Sequence, residues 1–191
     1  MILYINACVR EDSRTDRIAR ALLQRLGEPI EELNLPNKNL LPLNEERLAR
    51  RTKLIENGRY DDPMFDHAKQ FAAADAIVIA APFWDLSFPA ILKIYLENIY
   101  VTGIVSRFGA DGKPCGLCRA EKLYFITTAG GRYTPDYSYE YIKELATVHF
   151  GIKETELIKA EMLDVEGYDP EEIVRNTIRH IKLSKGETSS C

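Results

Sequence analysis

Apolar positions in this chain fall into short unbroken runs, separated by stretches where they recur every three or four residues. The first run, residues 2–8 (Ile-Leu-Tyr-Ile-Asn-Ala-Cys), ends against Arg10-Glu11-Asp12. It reads as a parallel strand buried on both faces. Ser13 with Asp16 three residues later marks a capping-box-like helix start. Ile18, Ala21, Leu22 and Leu26 then share one face, opposite Arg17, Arg20 and Gln24, until Gly27 and Pro29 stop the helix. Residues 30–35 predict a weaker strand at a sheet edge. Helices are expected over about Glu45–Glu56 and Pro63–Ala74. Residues 76–81 (Ala-Ile-Val-Ile-Ala-Ala) carry the clearest strand signal, wholly apolar as the centre of a covered sheet requires. Pro89 opens a helix to about Val101. Thr102–Arg119 reads as an extended loop, with Gly103, Gly109, Gly112, Pro114 and Gly116. A fourth strand is expected at 122–128, a helix from about Pro135 to Phe150, a fifth strand within 152–163 and a last helix over Pro170–Lys182.

Five strand–helix alternations predict an open parallel sheet with helices on both faces. The length of 191 residues suits one domain, assigned to residues 1–183, with 184–191 expected to be a disordered polar tail. The net charge of −4, from 25 basic and 29 acidic residues, carries no nucleic-acid footprint, so an anionic ligand must be held by local donors. Four scattered cysteines make no disulfide scaffold, and the apolar N-terminal run is too short to span a membrane. A cytoplasmic protein is expected.

In such sheets ligands bind beyond the carboxyl ends of the strands, which directs attention to three loops. The first offers Ser13, Arg14 and Thr15 at a helix N-terminus, where free N–H groups favour a phosphate; Ser13 as a plain N-cap is the alternative. Neither a Walker motif nor a Gly-x-Gly-x-x-Gly fingerprint is present. The second, Pro82-Phe83-Trp84-Asp85-Leu86-Ser87-Phe88, sets aromatics at a strand tip. Phe83 and Trp84 either border a planar ring, their N–H groups meeting its heteroatoms, or pack under the next helix. The third, Thr127-Thr128-Ala129-Gly130-Gly131-Arg132-Tyr133, has paired glycines that admit a close ligand and tolerate positive φ, or else form a bare turn.

At these residues the chain resembles the flavodoxin-like NAD(P)H-dependent quinone oxidoreductases and FMN-dependent azoreductases. The resemblance is carried by Ile77-Val78-Ile79-Ala80-Ala81-Pro82-Phe83-Trp84, by Phe88-Pro89-Ala90-Ile91-Leu92-Lys93 and by Ile126-Thr127-Thr128-Ala129-Gly130-Gly131. It spans residues 2 to about 181. It implies a flavodoxin-like doubly wound sheet of order 2-1-3-4-5 and bound FMN. It also implies NADH or NADPH as donor, a quinone or azo acceptor, a ping-pong cycle, and a homodimer with a shared pocket. Ser13–Thr15 match the phosphate turn, Phe83–Leu86 (after Pro82) the loop along the ring edge, and Thr128–Gly131 the turn at the ring's pyrimidine side. Gly130 and Gly131 would supply N–H donors to reduced flavin, and Tyr133, Tyr137 or Tyr139 would line the pocket or assist proton transfer. Asp85 stands where azoreductases usually carry asparagine, and Ala129 where arginine is common. These departures keep open an FMN reductase, an electron carrier or a flavin-free binding protein.

Other motifs are read more plainly. Cys115-x-x-Cys118 is a single pair and is taken as loop cysteines; no metal site is expected. His67, His149 and His180 fall in helical segments, with a pocket role open for His149. Glu45-Glu46 and Arg50-Arg51 are taken as a solvated face with i,i+4 pairs. Ile91, Tyr95 and Ile99 share a helical face suited to a core or a dimer contact.

Overall fold

The computed structural model describes residues 1–182; the expected polar tail lies outside the described residues. A parallel sheet is built from β1 (Ile2–Asn6), β2 (Ile30–Asn34), β3 (Ala76–Ala80), β6 (Lys122–Thr128) and β7 (Glu154–Ala160), in the order β2-β1-β3-β6-β7. Counting only these five strands, this is the anticipated 2-1-3-4-5 order, and β2 is indeed an edge. Between β3 and β6 lie β4 (Ser106–Phe108) and β5 (Pro114–Gly116), which pair antiparallel. The helices are α1 (Arg14–Leu26), α2 (Glu45–Glu56), α3 (Asp66–Ala73), α4 (Ala90–Ile99), α5 (Tyr139–Glu144) and α6 (Pro170–His180). Among the described residues no helix is long and apolar enough to cross a membrane.

Strand alternation divides the core in two. Ile2, Tyr4, Val78, Ala80, Tyr124 and Ile126 face α1 and α6, meeting Ile18, Leu22, Leu23 and Val174. Leu3, Ile5, Ile77, Ile79, Leu123 and Phe125 face the other way, onto Phe71, Leu92, Tyr95, Leu96, Ile142 and Phe150. Each central strand therefore buries both faces, which is why its sequence is apolar without a break. Gly27 ends α1 in the left-handed conformation at φ 68°, where its N–H returns to the Leu23 carbonyl.

Several local expectations are corrected. Thr102–Arg119 is not all loop: β4 and β5 form a hairpin seated on the end of the α5 segment, with Gly116 against the backbone of Phe150 and Gly151. The 63–74 helix starts with a 3₁₀ turn, Pro63–Phe65, because Asp62 accepts from the Met64 N–H before α3 begins. The helix expected from Pro135 starts at Tyr139, whose N–H is taken by Asp136 Oδ1 at 2.8 Å, and its last turns, Leu145–Phe150, are π-helical. Arg50 pairs with Asp62 across a loop and Arg51 donates to the Glu97 carbonyl, in place of the i,i+4 pairs expected within α2. Tyr95 and Ile99 are fully buried and belong to the core.

Candidate functional site

The tips of β1, β3 and β6 enclose a pocket of about 240 Å³. It is lined by Val9, Arg10, Asp12, Ser13, Arg14 and Thr15 from the first loop and Pro82, Phe83 and Trp84 from the second. Thr128, Ala129 and Gly130 come from the third, and Leu163 and Asp164 follow β7. The three loops singled out from sequence thus meet in one cavity. Asp85, Leu86, Gly131 and Tyr133 stand beside its lining rather than in it.

The first loop is braced from below. Asn6 is buried; its Oδ1 accepts from the Cys8 N–H at 2.9 Å and its Nδ2 donates to Asp16 Oδ1 at 3.0 Å. The Tyr4 hydroxyl donates to the same carboxylate oxygen, and Arg20 Nε holds the other at 2.8 Å. Burial and the Asp16 hydrogen bond push the Tyr4 phenol well above its ordinary range. These bonds fix the first turn of α1 against the end of β1. The N–H groups of Arg14 and Thr15 precede the helical ladder and have no acceptor among the described residues. They point with the positive end of the α1 dipole, toward which an anion is drawn. Ser13 is also the helix N-cap, accepting from the Asp16 N–H at 3.4 Å. Burial pushes the adjacent Cys8 thiol up to about 11, so it stays protonated and unreactive.

The second loop differs from expectation. The Phe83 N–H donates to the Thr128 carbonyl at 2.9 Å and the Trp84 N–H to the Ser87 carbonyl at 3.1 Å, so neither is available to a ring heteroatom. Trp84 and Ser87 exchange both backbone bonds around Asp85 and Leu86, at φ 48° and 65°. Two successive non-glycine residues in the left-handed region make a strained turn of the I′ kind. The turn leaves the Trp84 side chain 43% exposed at the pocket wall. Phe83 packs on the Tyr133 ring, centroids 4.6 Å apart.

In the third loop neither Gly130 nor Gly131 has positive φ. Gly130 lies under the Asp164 carboxylate, which a Cβ there would push aside, whereas Gly131 faces open space. The carbonyls of Ala129, Gly130 and Gly131 accept from Leu163, Asp164 and Met162, extending sheet-like pairing past β6 and β7. The N–H groups of Gly130 and Gly131 have no acceptor among the described residues. Tyr133 is 5% exposed, and its hydroxyl contacts Asp136 and Ser138. The Tyr139 hydroxyl meets Thr155 Oγ1 at 3.0 Å, while Tyr137 is exposed.

Sequence reasoning gave no role to Val9, Arg10 and Asp12 of the first loop and missed Leu163 and Asp164. The last two follow β7 directly, and the neighbouring β6 tip brings them to the pocket; adjacency of the two strands was the available signal. His149 Nδ1 meets the Tyr100 hydroxyl at 2.7 Å and does not line the pocket. Cys115 is exposed on β5 and Cys118 donates toward the Val105 carbonyl, both as free thiols. Among the described residues no group of three or more His, Cys, Asp or Glu is arranged to hold a metal.

A family model described as flavodoxin-like fold matches residues 1–182, and the chain belongs to that family. Its relatives include FMN-dependent NADH:quinone oxidoreductase 2 of Clostridium acetobutylicum, 39% identical, covering 95% of this chain and 96% of the relative. An FMN-dependent NADH:quinone oxidoreductase of Coprothermobacter proteolyticus is 33% identical, covering 93% and 94%. Among solved structures, an FMN-dependent NADH-azoreductase from Bacillus anthracis in complex with FMN superposes with a TM-score of 0.79 at 24% identity, covering 93% of each chain. This last likeness is one of fold.

Proposed function

We propose that this protein is an FMN-dependent oxidoreductase that passes electron pairs from NADH to quinones or azo compounds. The observation that carries the reading is the donor set of the pocket. Unpaired N–H groups at the start of α1 lie at one side, the unpaired N–H of Gly130 at another with that of Gly131 next to the lining, and Trp84 is exposed on the wall. A phosphorylated planar ring needs these three things, so the residues present fit FMN. The activities named for the relatives support the same reading.

When bound, FMN supplies the redox chemistry, taking hydride from the nicotinamide and giving two electrons to the acceptor. The chain's own residues bind and orient. The Ser13 hydroxyl and the N–H groups of Arg14 and Thr15 hold the phosphate. Pro82, Phe83 and Trp84 form the wall, with Asp85 and Leu86 as the turn that fixes Trp84. Thr128 and Ala129 floor the ring side. Gly130 and Gly131 aim preorganised donors at negative charge. Tyr133 acts as a positioning residue through Phe83, since its hydroxyl is engaged by Asp136 and Ser138.

The reading extends to a ping-pong order, a single domain over residues 1–183, a cytoplasmic setting and a homodimer. Exposed apolar side chains on Leu86, Phe108 and Tyr137 supply surface that a second copy would cover. Initial rates with NADH and a small quinone test the order. Parallel double-reciprocal lines are expected, and intersecting lines overturn the ping-pong order.

A further inference from the structure

The pocket holds four ionisable side chains, Arg10, Arg14, Asp12 and Asp164, and their opposite charges balance. The two arginines are not equivalent. Arg14 Nη1 lies 3.2 Å from Asp164 Oδ1, an ion pair that joins the first turn of α1 to the segment after β7. The Asp164 backbone is held, its N–H donating to the Gly130 carbonyl at 2.9 Å, and its carboxylate, on a side chain 73% exposed, lies over Gly130. Arg17, one turn further along α1, is also committed, in a two-point pair with Glu171 at 2.7 and 3.0 Å. Arg10 is exposed, lines the same pocket, and forms no ion pair or hydrogen bond with any described residue. Asp12 contributes an opposing charge, but no hydrogen bond or ion pair joins it to either arginine.

We propose that Arg10 is the cation that meets the cofactor's phosphate, and that Asp164 offsets the charge of the Arg14 side chain there. This rests on the reading of the pocket as an FMN site. Backbone N–H groups hold the phosphate in shape, and Arg10 adds a charge-assisted bond because no protein carboxylate competes for it. The Arg14 guanidinium keeps donors free of Asp164, but the carboxylate 3.2 Å from its Nη1 offsets the charge it presents to an anion, so its net contribution is small. A carboxylate beside a phosphate subsite thereby limits how tightly the phosphorylated cofactor is held, while leaving the ring contacts untouched.

Equilibrium binding of FMN and of riboflavin, followed by quenching of flavin fluorescence in the apoprotein, separates the phosphate from the ring. R10Q is expected to weaken FMN about tenfold and leave riboflavin unchanged, the scale of one charge-assisted bond. R14Q, which keeps the backbone N–H, is expected to change FMN binding less than about twofold. D164N is expected to tighten FMN about two- to fivefold, in keeping with an exposed ion pair; in the R14Q background this gain disappears. Riboflavin binding by every variant serves as the control for an intact pocket. An R14Q loss larger than that of R10Q overturns the proposal, as does weaker FMN binding by D164N or an equal change for both flavins. Wild-type protein that binds FMN more tightly than riboflavin keeps the pocket reading whatever these variants do. Wild-type protein that binds neither removes both.

Discussion

The hydroxyls of Thr15 and Thr128 lie 2.7 Å apart, joining the first turn of α1 to the tip of β6 at the floor of the pocket. Thr15 is 1% exposed, so its hydroxyl depends on this partner. Thr128→Val therefore leaves a buried polar atom unsatisfied and is expected to cost about 1–3 kcal/mol in urea unfolding. Thr15→Val should cost a similar amount, and the double variant clearly less than the sum. Additive losses would mean that the two hydroxyls do not act as a pair.

Stability should also fall at alkaline pH. Burial pushes the Cys8 thiol up to about 11 and the Cys118 thiol up to about 12, from an ordinary value of 9.0. Burial likewise raises the Tyr4 and Tyr95 phenols. The folded chain keeps these protons after the unfolded chain has released them, so rising pH favours unfolding. The contribution is whole below about pH 9 and is lost as pH climbs through the folded values. For Cys8 alone the full loss, reached above its folded value, is on the order of 3 kcal/mol. The urea midpoint should match at pH 7 and pH 8 (about neutral, below both thiol values) and drop by about pH 10.5, with a smaller drop in Cys8→Ala. An unchanged midpoint across this range would contradict the burial argument.

The hairpin of β4 and β5 is held by close backbone approach. A Cβ at Gly116 would run into the backbone of Phe150 and Gly151, atoms that cannot swing aside, whereas one at Gly131 meets nothing. Gly116→Ala is expected to cost more than about 3 kcal/mol, and Gly131→Ala to stay within about 0.5 kcal/mol of the parent. Thermal unfolding of the two variants side by side checks this, and comparable midpoints would contradict it.

What the sequence disclosed and what it withheld have physical reasons. The unbroken apolar run of β3 and the capped, amphipathic α1 state their structure locally, and strand alternation then sets the sheet and brings three loops to one edge. The hairpin was invisible because its strands have three residues each, with proline and glycine where a strand pattern would have apolar residues. The donors of Phe83 and Trp84 were misread because their acceptors, Thr128 and Ser87, are set by pairing that no local pattern encodes. Asp164 was missed for a related reason: its place beside Arg14 depends on β7 lying next to β6, 150 residues from that arginine. Gly130 and Gly131 looked alike in sequence, yet only Gly130 has a neighbour, the Asp164 carboxylate lying over it, while Gly131 faces open space.

Anaerobic mixing of FMN-loaded protein with NADH, followed by a small quinone, tests the central claim most directly. The account predicts that one equivalent of flavin binds per chain, that its visible absorption bleaches on adding NADH, and that the quinone restores it. Protein that remains colourless with FMN, or bound flavin that NADH leaves oxidised, would contradict it.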